Sequence, residues 1–328
     1  MARKRERGFP ADPAPLPVPV ADNHTHLDAI AGVLDERVLG GGPVPTAADH
    51  LARAAAAGVD RVVQVGCDLP GIDWTMELLS HPVVEPVETR VSTGSTRGSR
   101  PARPAKVLGA VAIHPNEAVL HAGVREVGPD GLEPDPAPHH GVPLDDALAR
   151  VAEAAAHPRV RAIGETGMDL FRTGPQGEAV QREAFRAHVA LAKELGLALQ
   201  IHDRDAHAQV IDVLLADGAP ERTVFHCYSG DEEMAALAAE HGWFLSFAGP
   251  VTYPKNDHLR GALRAVPLEL VLVETDAPYL PPHPYRGQPN APYVAAHTVR
   301  AMADVLERPL DEVCRAISAT SERVYGAW

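Results

Sequence analysis

Two histidines one residue apart are the first residues of this chain whose type and spacing suggest chemistry. His24 and His26 stand in the segment Asp22-Asn23-His24-Thr25-His26-Leu27-Asp28, directly after an apolar run. Alternate side chains of an extended chain point to the same side, so both imidazoles could bind one metal ion. A pair of this kind is as often structural as metal-binding. Its position among the other elements must therefore decide.

Further metal-binding residue types recur where later apolar, β-branched runs end. They are Glu165 after the fourth run, His202 after the fifth, His226 after the sixth and Asp276 after the eighth. The loops that follow the strands of a parallel α/β barrel meet on one face, so these side chains should converge with the first pair. The sequence thus predicts six clustered ligands.

The chemistry of this set is that of hydrolysis. Four imidazoles and two carboxylates suit Zn, Mn, Fe or Co, and Mg where water and substrate oxygens complete the shell. Six ligands are too many for one four-coordinate ion, so we expect two divalent cations with Glu165 between them. Such a pair polarises a phosphoryl or carbonyl oxygen and lowers the pKa of water.

The elements that must position these residues fit a (β/α)8 TIM barrel. Eight strand candidates end near Asn23, Gly66, Ile113, Gly164, Ile201, Phe225, Phe247 and Val273. The run Leu268–Val273 is apolar throughout, as a strand buried on both faces requires. Amphipathic helices are predicted over Ala47–Ala57, Leu144–Ala156, Gln176–Leu195, Ala206–Ala216, Asp231–His241, Asp257–Ala265, Tyr293–Leu306 and Leu310–Tyr325.

Three stretches interrupt this rhythm. Residues 1–17 begin basic and continue Pro-rich, which predicts a flexible tail before a single barrel domain over 18–328. Residues 83–105 are rich in Ser, Thr, Arg and Pro, and this composition favours a tolerated loop over an arginine-bearing flap for nucleic acid. Residues 123–142 carry four prolines and a His-His pair, and are also expected to be a loop insertion.

Composition excludes several classes of protein. The chain has 328 residues, a net charge of −14 and no apolar run long enough for a transmembrane helix. An acidic chain is not a general nucleic-acid-coating protein, so any phosphate must be held locally by cations and a few arginines. Cys67, Cys227 and Cys314 are too scattered for a disulfide framework, and we expect a cytoplasmic protein.

The chain resembles the TatD family of metal-dependent deoxyribonucleases, of the amidohydrolase superfamily, from about Ala21 to Tyr325. The motifs that carry the resemblance are the His24 segment above, Ala112–Pro115, Ile163–Asp169, Gln200–Ala206, His226–Gly230, Leu245–Gly249, and Val273–Leu280 with Arg286-Gly287. The resemblance implies a metallo-dependent hydrolase barrel that cleaves DNA phosphodiesters, typically as a 3′-to-5′ exonuclease on single strands or 3′ ends.

It also implies roles for single residues. His24, His26, Glu165, His202, His226 and Asp276 would bind two divalent cations, Mg, Mn or Zn. Glu165 and Asp276 would be catalytic, with Asp276 accepting a proton from the attacking water; a role as ligand only is the alternative.

Two further residues are predicted to bind substrate. Arg204 lies two residues beyond His202 and could grip a phosphate, unless it pairs with Asp203 or Asp205. His114 could donate a hydrogen bond to phosphate or merely cap a helix. Further candidates for phosphate contact or base stacking lie in the last two loops: Tyr253, Lys255, Tyr279 and Arg286.

The chain departs from the family pattern without losing a ligand. Asn116 stands where a second histidine is common, Thr166–Leu170 replaces Ile-Gly-Leu-Asp-Tyr, and Gln288 replaces a lysine. These changes bear on substrate preference. An amidohydrolase that acts on a carbonyl substrate, such as an aminoacyl ester on tRNA, is the alternative enzyme. A non-catalytic nucleic-acid-binding or scaffold protein that retains a barrel is the alternative from another class.

Overall fold

The computed structural model describes residues 8–81 and 103–328, and within them the backbone forms one parallel sheet of eight strands. Each strand pairs with the next in chain order, so the sheet curls into a barrel with helices outside. The strands are β1 (Val20–Thr25), β2 (Val59–Gly66), β3 (Lys106–Val111), β4 (Val160–Asp169), β5 (Ala198–Arg204), β6 (Thr223–Phe225), β7 (Phe244–Phe247) and β8 (Val271–Val273). The predicted TIM barrel is confirmed.

The helices of the described ranges follow these strands on the outside of the barrel. They are α1 (Leu27–Ile30), α2 (Glu36–Leu39), α3 (Ala47–Ala56), α4 (Leu69–Ser80), α5 (Pro115–His121), α6 (Leu144–Ala155), α7 (Pro175–Leu195), α8 (His207–Asp217), α9 (Glu232–Glu240), α10 (Asp257–Ala265), α11 (Ala295–Leu306) and α12 (Leu310–Tyr325). None of the described helices is long and apolar enough to cross a membrane.

Helix starts are set by local capping. Thr46 accepts a hydrogen bond from the Asp49 N–H, and Asp49 reaches back to the Thr46 N–H, which is a complete capping box before α3. Asp68 and Asp231 cap α4 and α9 in the same sense, through the N–H groups of Gly71 and Met234. These caps fix where each helix leaves its strand.

The barrel closes through the segment that follows β8 rather than through strand pairing alone. The Asp276 N–H donates to the carbonyl of His24 at 3.0 Å, and the His26 N–H donates to the carbonyl of Ala277 at 2.7 Å. The buried Asp22 carboxylate accepts from the Thr275 N–H at 2.8 Å. These bonds place Asp276 directly beside the first histidine pair.

Small and branched aliphatic residues fill the interior of the barrel, as a closed eight-stranded sheet requires. They include Val63, Val65, Leu108, Ala110, Ala162, Ala198, Val224 and Leu272. The last helix blocks the end away from the strand C-termini, where the Tyr325 hydroxyl accepts a hydrogen bond from the Gln200 amide at 2.7 Å. Among the described residues, the polar cluster lies at the opposite end of the barrel.

Several predicted segments differ in detail. Leu268–Leu270 forms a 3-10 helix, so β8 comprises just the last three residues of the run expected to be a strand. Residues 1–7 of the predicted tail lie outside the described residues, whereas Leu16 is buried and its N–H donates to the carbonyl of Ala57. The predicted insertion at 83–105 lies outside the described residues except for 103–105.

Residues 123–142 form irregular chain with one 3-10 helix, Pro138–Gly141, and this segment packs on the barrel. The Glu126 carboxylate accepts from the Gln176 N–H at 3.0 Å at the start of α7. The Asp130 N–H donates to the carbonyl of Phe171 at 3.0 Å. The segment therefore covers the region next to the open end of the barrel.

Candidate active site

Glu165 lies at the centre of a cluster of imidazoles at the C-terminal end of the barrel. Its Oε1 is 2.6 Å from Nδ1 of His202 and 2.8 Å from Nε2 of His226. Its Oε2 is 3.5 Å from Nε2 of His24 and 3.6 Å from Nε2 of His26. One carboxylate thus reaches both halves of the predicted ligand set.

The side chains of His24 and His26 lie on the same side of the chain, as the alternation of an extended strand predicts. The Nε2 atoms of His24 and His26 are 3.3 Å apart. On the other side of the His26 ring, Nδ1 lies 3.2 Å from the carbonyl of Val65, so Nδ1 carries the hydrogen and Nε2 has the free lone pair. That nitrogen is therefore available for a cation.

Asp276 completes the cluster from the far side. Its Oδ1 lies 3.6 Å from Nε2 of His26. Its backbone has a φ of 52°, in the left-handed region that a residue with a Cβ enters only where surrounding contacts impose it. The hydrogen bond to His24 described above imposes it, and it turns the carboxylate inward.

Two further carboxylates, Glu274 and Asp169, orient imidazoles of the cluster. Glu274, which is fully buried, accepts from Nδ1 of His226 at 3.2 Å and from the Cys227 N–H at 2.6 Å. Asp169 lies 3.3 Å from Nε2 of His202, on the side of the ring away from Glu165. Hydrogen bonds of this kind fix the tautomer and raise the basicity of a metal-binding imidazole.

Asp169 is in turn held by side chains from α5 and α7. The Asn116 amide donates to Asp169 at 2.9 Å, and the Gln181 amide donates to the Asn116 side-chain oxygen at 3.3 Å. The residue that departs from the family pattern therefore supports the partner of His202. Its shorter side chain leaves it outside the imidazole cluster.

The electrostatics of the cluster favour positive charge beside Glu165. Burial alone would raise the pKa of Glu165, but His226 and His114 hold it well below its usual value. Burial likewise would lower the pKa of His202, yet Asp169 and Glu165 raise it to about 9. An ionised, buried carboxylate among imidazoles is a site that protons or divalent cations neutralise.

The residues present fit divalent cations. Ligand atoms of His24, His26 and Glu165 lie within 4.8 Å of one another, as do those of His24, His226 and Asp276. Imidazole nitrogens and carboxylate oxygens are the donors that zinc, manganese and related ions take. The structure thus brings together all six predicted ligands, and supplies each of three imidazoles with an orienting partner.

The predicted substrate residues occupy two different places. His114 lies deeper than the expected rim, with Nε2 at 3.4 Å from Glu165. Its Nδ1 accepts from the Asn116 N–H at 3.1 Å, so it also caps α5, and in the neutral ring Nε2 carries the hydrogen. The capping and donor roles predicted as alternatives therefore coexist in one side chain.

Arg204 is exposed at the end of β5. Its guanidinium stacks on the ring of Phe171, 4.0 Å from the centroid, and forms no ion pair within residues 8–81 and 103–328. Neither alternative partner, Asp203 or Asp205, forms an ion pair with Arg204 in the described part of the chain, and Asp203 pairs instead with His207 at 2.8 Å. The Phe171 ring thus orients the Arg204 guanidinium, whose N–H groups remain available to an anion.

The last two loops carry the aromatic candidates. Tyr279 is 53% exposed, and its ring centroid lies 6.2 Å from that of His26. Arg286 lies over the ring of Tyr253 at 5.3 Å, and the Tyr253 hydroxyl donates to the carbonyl of Pro281. Tyr279 is thus the exposed aromatic face at the edge of the cluster.

Cys227 directly follows His226 at the end of the sixth strand. β6 ends at Phe225, and the Cys227 backbone has a φ of 43°, so alternation no longer applies. Burial, with Asp276 and Glu274 nearby, raises the pKa of the Cys227 thiol well above its usual value. Burial raises the pKa of Cys67 beside His26 to about 11. Both thiols are therefore neutral neighbours of the site.

Comparison with known proteins agrees with this geometry. The family model described as TatD related DNase matches residues 21–326. The chain belongs to this family. It is 39% identical over 311 residues to the uncharacterized metal-dependent hydrolase TatD of Mycobacterium tuberculosis, covering 94% of this chain and 98% of that protein. It is 29% identical to the uncharacterized metal-dependent hydrolase YabD of Bacillus subtilis, covering 93% and 98%.

Solved structures show the same fold. The TatD homologue YjjV of Escherichia coli has a TM-score of 0.69 at 22% identity, covering 94% of this chain and 98% of that chain. A TatD family hydrolase from Entamoeba histolytica has a TM-score of 0.67 at 15% identity, covering 94% and 99%. The protein is therefore a metal-dependent hydrolase of the TatD family built on a TIM barrel.

Proposed function

We propose that this TatD family hydrolase is a deoxyribonuclease that removes nucleotides from the 3′ end of DNA with two divalent cations. The observation that carries the proposal is the position of Glu165, whose two oxygens face different imidazoles: His202 and His226 on one side, His24 and His26 on the other. A carboxylate with ligands on both sides is suited to bridge two ions.

The proposed ligands divide into two groups around Glu165. His24, His26 and Asp276 would hold one cation, and His202 and His226 would hold the second. When bound, such cations polarise a phosphoryl oxygen and allow water to ionise near neutral pH. The chain's own contribution is to hold five ligands and one bridging carboxylate in a buried, oriented arrangement.

Asp276 is the proposed general base. Its carboxylate is 12% exposed, whereas Glu165 is 7% exposed and faces imidazoles with both oxygens. Asp276 makes one contact of this kind, at 3.6 Å to His26, so it retains an oxygen to accept a proton from an attacking water. Glu165 is committed to ligand contacts.

Three other groups are proposed to hold the substrate. Nε2–H of His114 can donate to a phosphate oxygen, because Nδ1 is occupied by the Asn116 N–H. The Arg204 guanidinium can bind a second phosphate with paired donors. Tyr279 offers an exposed ring on which a terminal base can stack. The family description as a DNase supports a nucleic acid substrate for this arrangement.

The experiment is hydrolysis of a 5′-labelled single-stranded oligonucleotide by the purified protein with Mg²⁺ or Mn²⁺. A descending ladder of products that stops when the 3′ terminus is blocked supports a 3′-to-5′ exonuclease. A parallel assay uses an aminoacyl ester on tRNA. Ester cleavage without DNA cleavage would contradict the proposal and favour an amidohydrolase that acts on a carbonyl carbon.

A further inference from the structure

A second group of histidines and a glutamate lies outside the active site. It joins the end of α5 to the 3-10 helix at Pro138–Gly141, within the segment that the sequence predicts to be an insertion. One ligand atom from each of four residues lies within 4.8 Å of all the others. The four residues are Glu117, His121, His139 and His140.

His121 gives this group an unpaired nitrogen. The residue is 6% exposed, and its Nδ1 lies 2.8 Å from the carbonyl of Val142, so Nδ1 carries the hydrogen. Nε2 therefore has a lone pair, and it is buried without a hydrogen-bond partner in the described part of the chain. A buried acceptor of this kind costs free energy unless something binds it.

His139 and Glu117 supply the next two donors. Nε2 of His139 lies 3.0 Å from Oε2 of Glu117, and the two side chains are 20% and 23% exposed. Burial would raise the pKa of Glu117, but His139 and His140 hold it below its usual value. An ionised carboxylate thus faces two imidazoles at a position that water can reach.

His140 orients the Glu117 carboxylate and is not a proposed ligand. Its Nδ1 accepts from the Ala137 N–H at 2.7 Å, so in the neutral ring Nε2 carries the hydrogen and donates to Glu117 at 2.7 Å. This ring is therefore an orienting partner of the Glu117 carboxylate rather than a ligand. Metal-binding carboxylates are commonly held in this way.

We propose that Nε2 of His121, Nε2 of His139 and the Glu117 carboxylate form a zinc site separate from the active site. Three protein ligands and one water give the four-coordinate shell that zinc takes. Atoms around one tetrahedral zinc lie about 3.4 Å apart. The donor atoms already lie within 4.8 Å of one another, and the His139 ring and Glu117 carboxylate are partly exposed and so can rotate to adjust their separation.

The site ties residues 123–142 to the edge of the active site. α5 carries Glu117 and His121, and the same helix is capped by His114, which lies 3.4 Å from Glu165. A cation at this place would join the loop to the helix whose capping residue, His114, faces the catalytic cluster. The predicted role is to hold α5 and the loop in one position.

The test is zinc stoichiometry of the full chain, stripped with chelator and then titrated with Zn²⁺ alone. His139→Ala and His121→Asn should each bind one equivalent fewer per chain than the wild type. His258→Gln is the matched control, since this exposed histidine on α10 belongs to no metal-binding group among the described residues. It should bind as many equivalents as the wild type.

Anomalous scattering at the zinc edge locates the ion independently of folding effects in the variants. A peak between His121, His139 and Glu117 in the wild-type crystal is the expected result. Equal zinc stoichiometry in the wild type and His139→Ala, with no peak there, would overturn the proposal. Lower thermal stability of both variants with unchanged zinc binding would show a hydrogen-bonded clamp only, and would overturn it as well.

Discussion

The buried Glu274 carboxylate lies 3.2 Å from Nδ1 of His226, on the side of the ring away from the active site. The sequence places Glu274 two residues before Asp276, just after β8. Since Nδ1 donates to Glu274, Nε2 is the nitrogen that faces Glu165, at 2.8 Å, and the one available to a cation. One carboxylate therefore sets the direction of a proposed metal ligand.

Glu274→Gln should weaken metal binding while leaving the ligand set intact. The amide oxygen can still accept from Nδ1 of His226, but it lacks the charge that raises the basicity of the ring. Loss of such a partner typically weakens metal affinity about 10- to 100-fold. Isothermal titration calorimetry with Mn²⁺, on protein freed of metal by chelator, measures this affinity. Glu240→Gln, an exposed carboxamide substitution on α9, is the control and should match the wild type.

Asp276→Asn should lower kcat by about 10²- to 10⁴-fold, as expected for loss of a general base. The amide keeps an oxygen that can contact a cation but accepts no proton. Rates measured across cation concentrations separate the two roles. If saturating cation restores the wild-type kcat, Asp276 acts as a ligand only and the assignment of the base is wrong.

Arg204→Ala should raise KM for DNA with little change in kcat, because the guanidinium lies outside the imidazole cluster. One charge-assisted hydrogen bond contributes about 1.5–3 kcal/mol, which corresponds to roughly a 10- to 100-fold rise in KM. Arg204→Lys keeps the charge without the paired donors, so its KM should fall between those of the wild type and Arg204→Ala. Steady-state kinetics on single-stranded DNA measure the split, and an unchanged KM would remove Arg204 from the substrate site.

His188 on α7 should make stability depend on pH. It is 1% exposed, accepts from the Ile113 N–H at 3.2 Å, and burial lowers its pKa to about 4. Because the unfolded ring titrates near 6.5, its neutral form stabilises the fold fully above that pH. This contribution is lost as the pH falls from about 6.5 to about 4, and amounts to about 3 kcal/mol.

The measurement is chemical denaturation of stripped wild type and His188→Gln between about pH 7 and pH 4. The variant should be less stable near pH 7, and the difference in the free energy of unfolding should shrink as pH falls. A difference that stays constant over this range would show that His188 is not the titrating group.

The strands and the six proposed ligands could be located from sequence because their signals are local. An apolar, β-branched run predicts a buried strand, and the first polar residue after it must lie at the open end of the barrel. His24 and His26 follow the period-two rule, which brings their Nε2 atoms to 3.3 Å. These relationships need no knowledge of distant packing.

The orienting partners could not be identified in the same way. Glu274 is 48 residues from His226, and Asp169 is 33 residues from His202. A signal existed in the spacing, since Asp169 and Glu274 each stand an even number of residues from a proposed ligand on the same segment. Which imidazole each one faces depends on strand register.

Sequence prediction was limited where a local rule stopped applying. The period-two rule gives no direction for Cys227, because β6 ends at Phe225 and the Cys227 backbone turns with positive φ. α4 is absent from the predicted helices. The Asp68 cap and proline in the first turn are, however, a regular helix start.

The central claim is that Glu165 joins two cation positions that together hydrolyse DNA. The most direct measurement is the metal content and the 3′-to-5′ cleavage rate of Glu165→Gln beside the wild type, each with Mn²⁺ and with chelator. Cleavage by the wild type that chelator abolishes, together with loss of both cleavage and bound metal in the variant, is the predicted result. Wild-type cleavage by Glu165→Gln, or cleavage that survives chelation, would contradict the account.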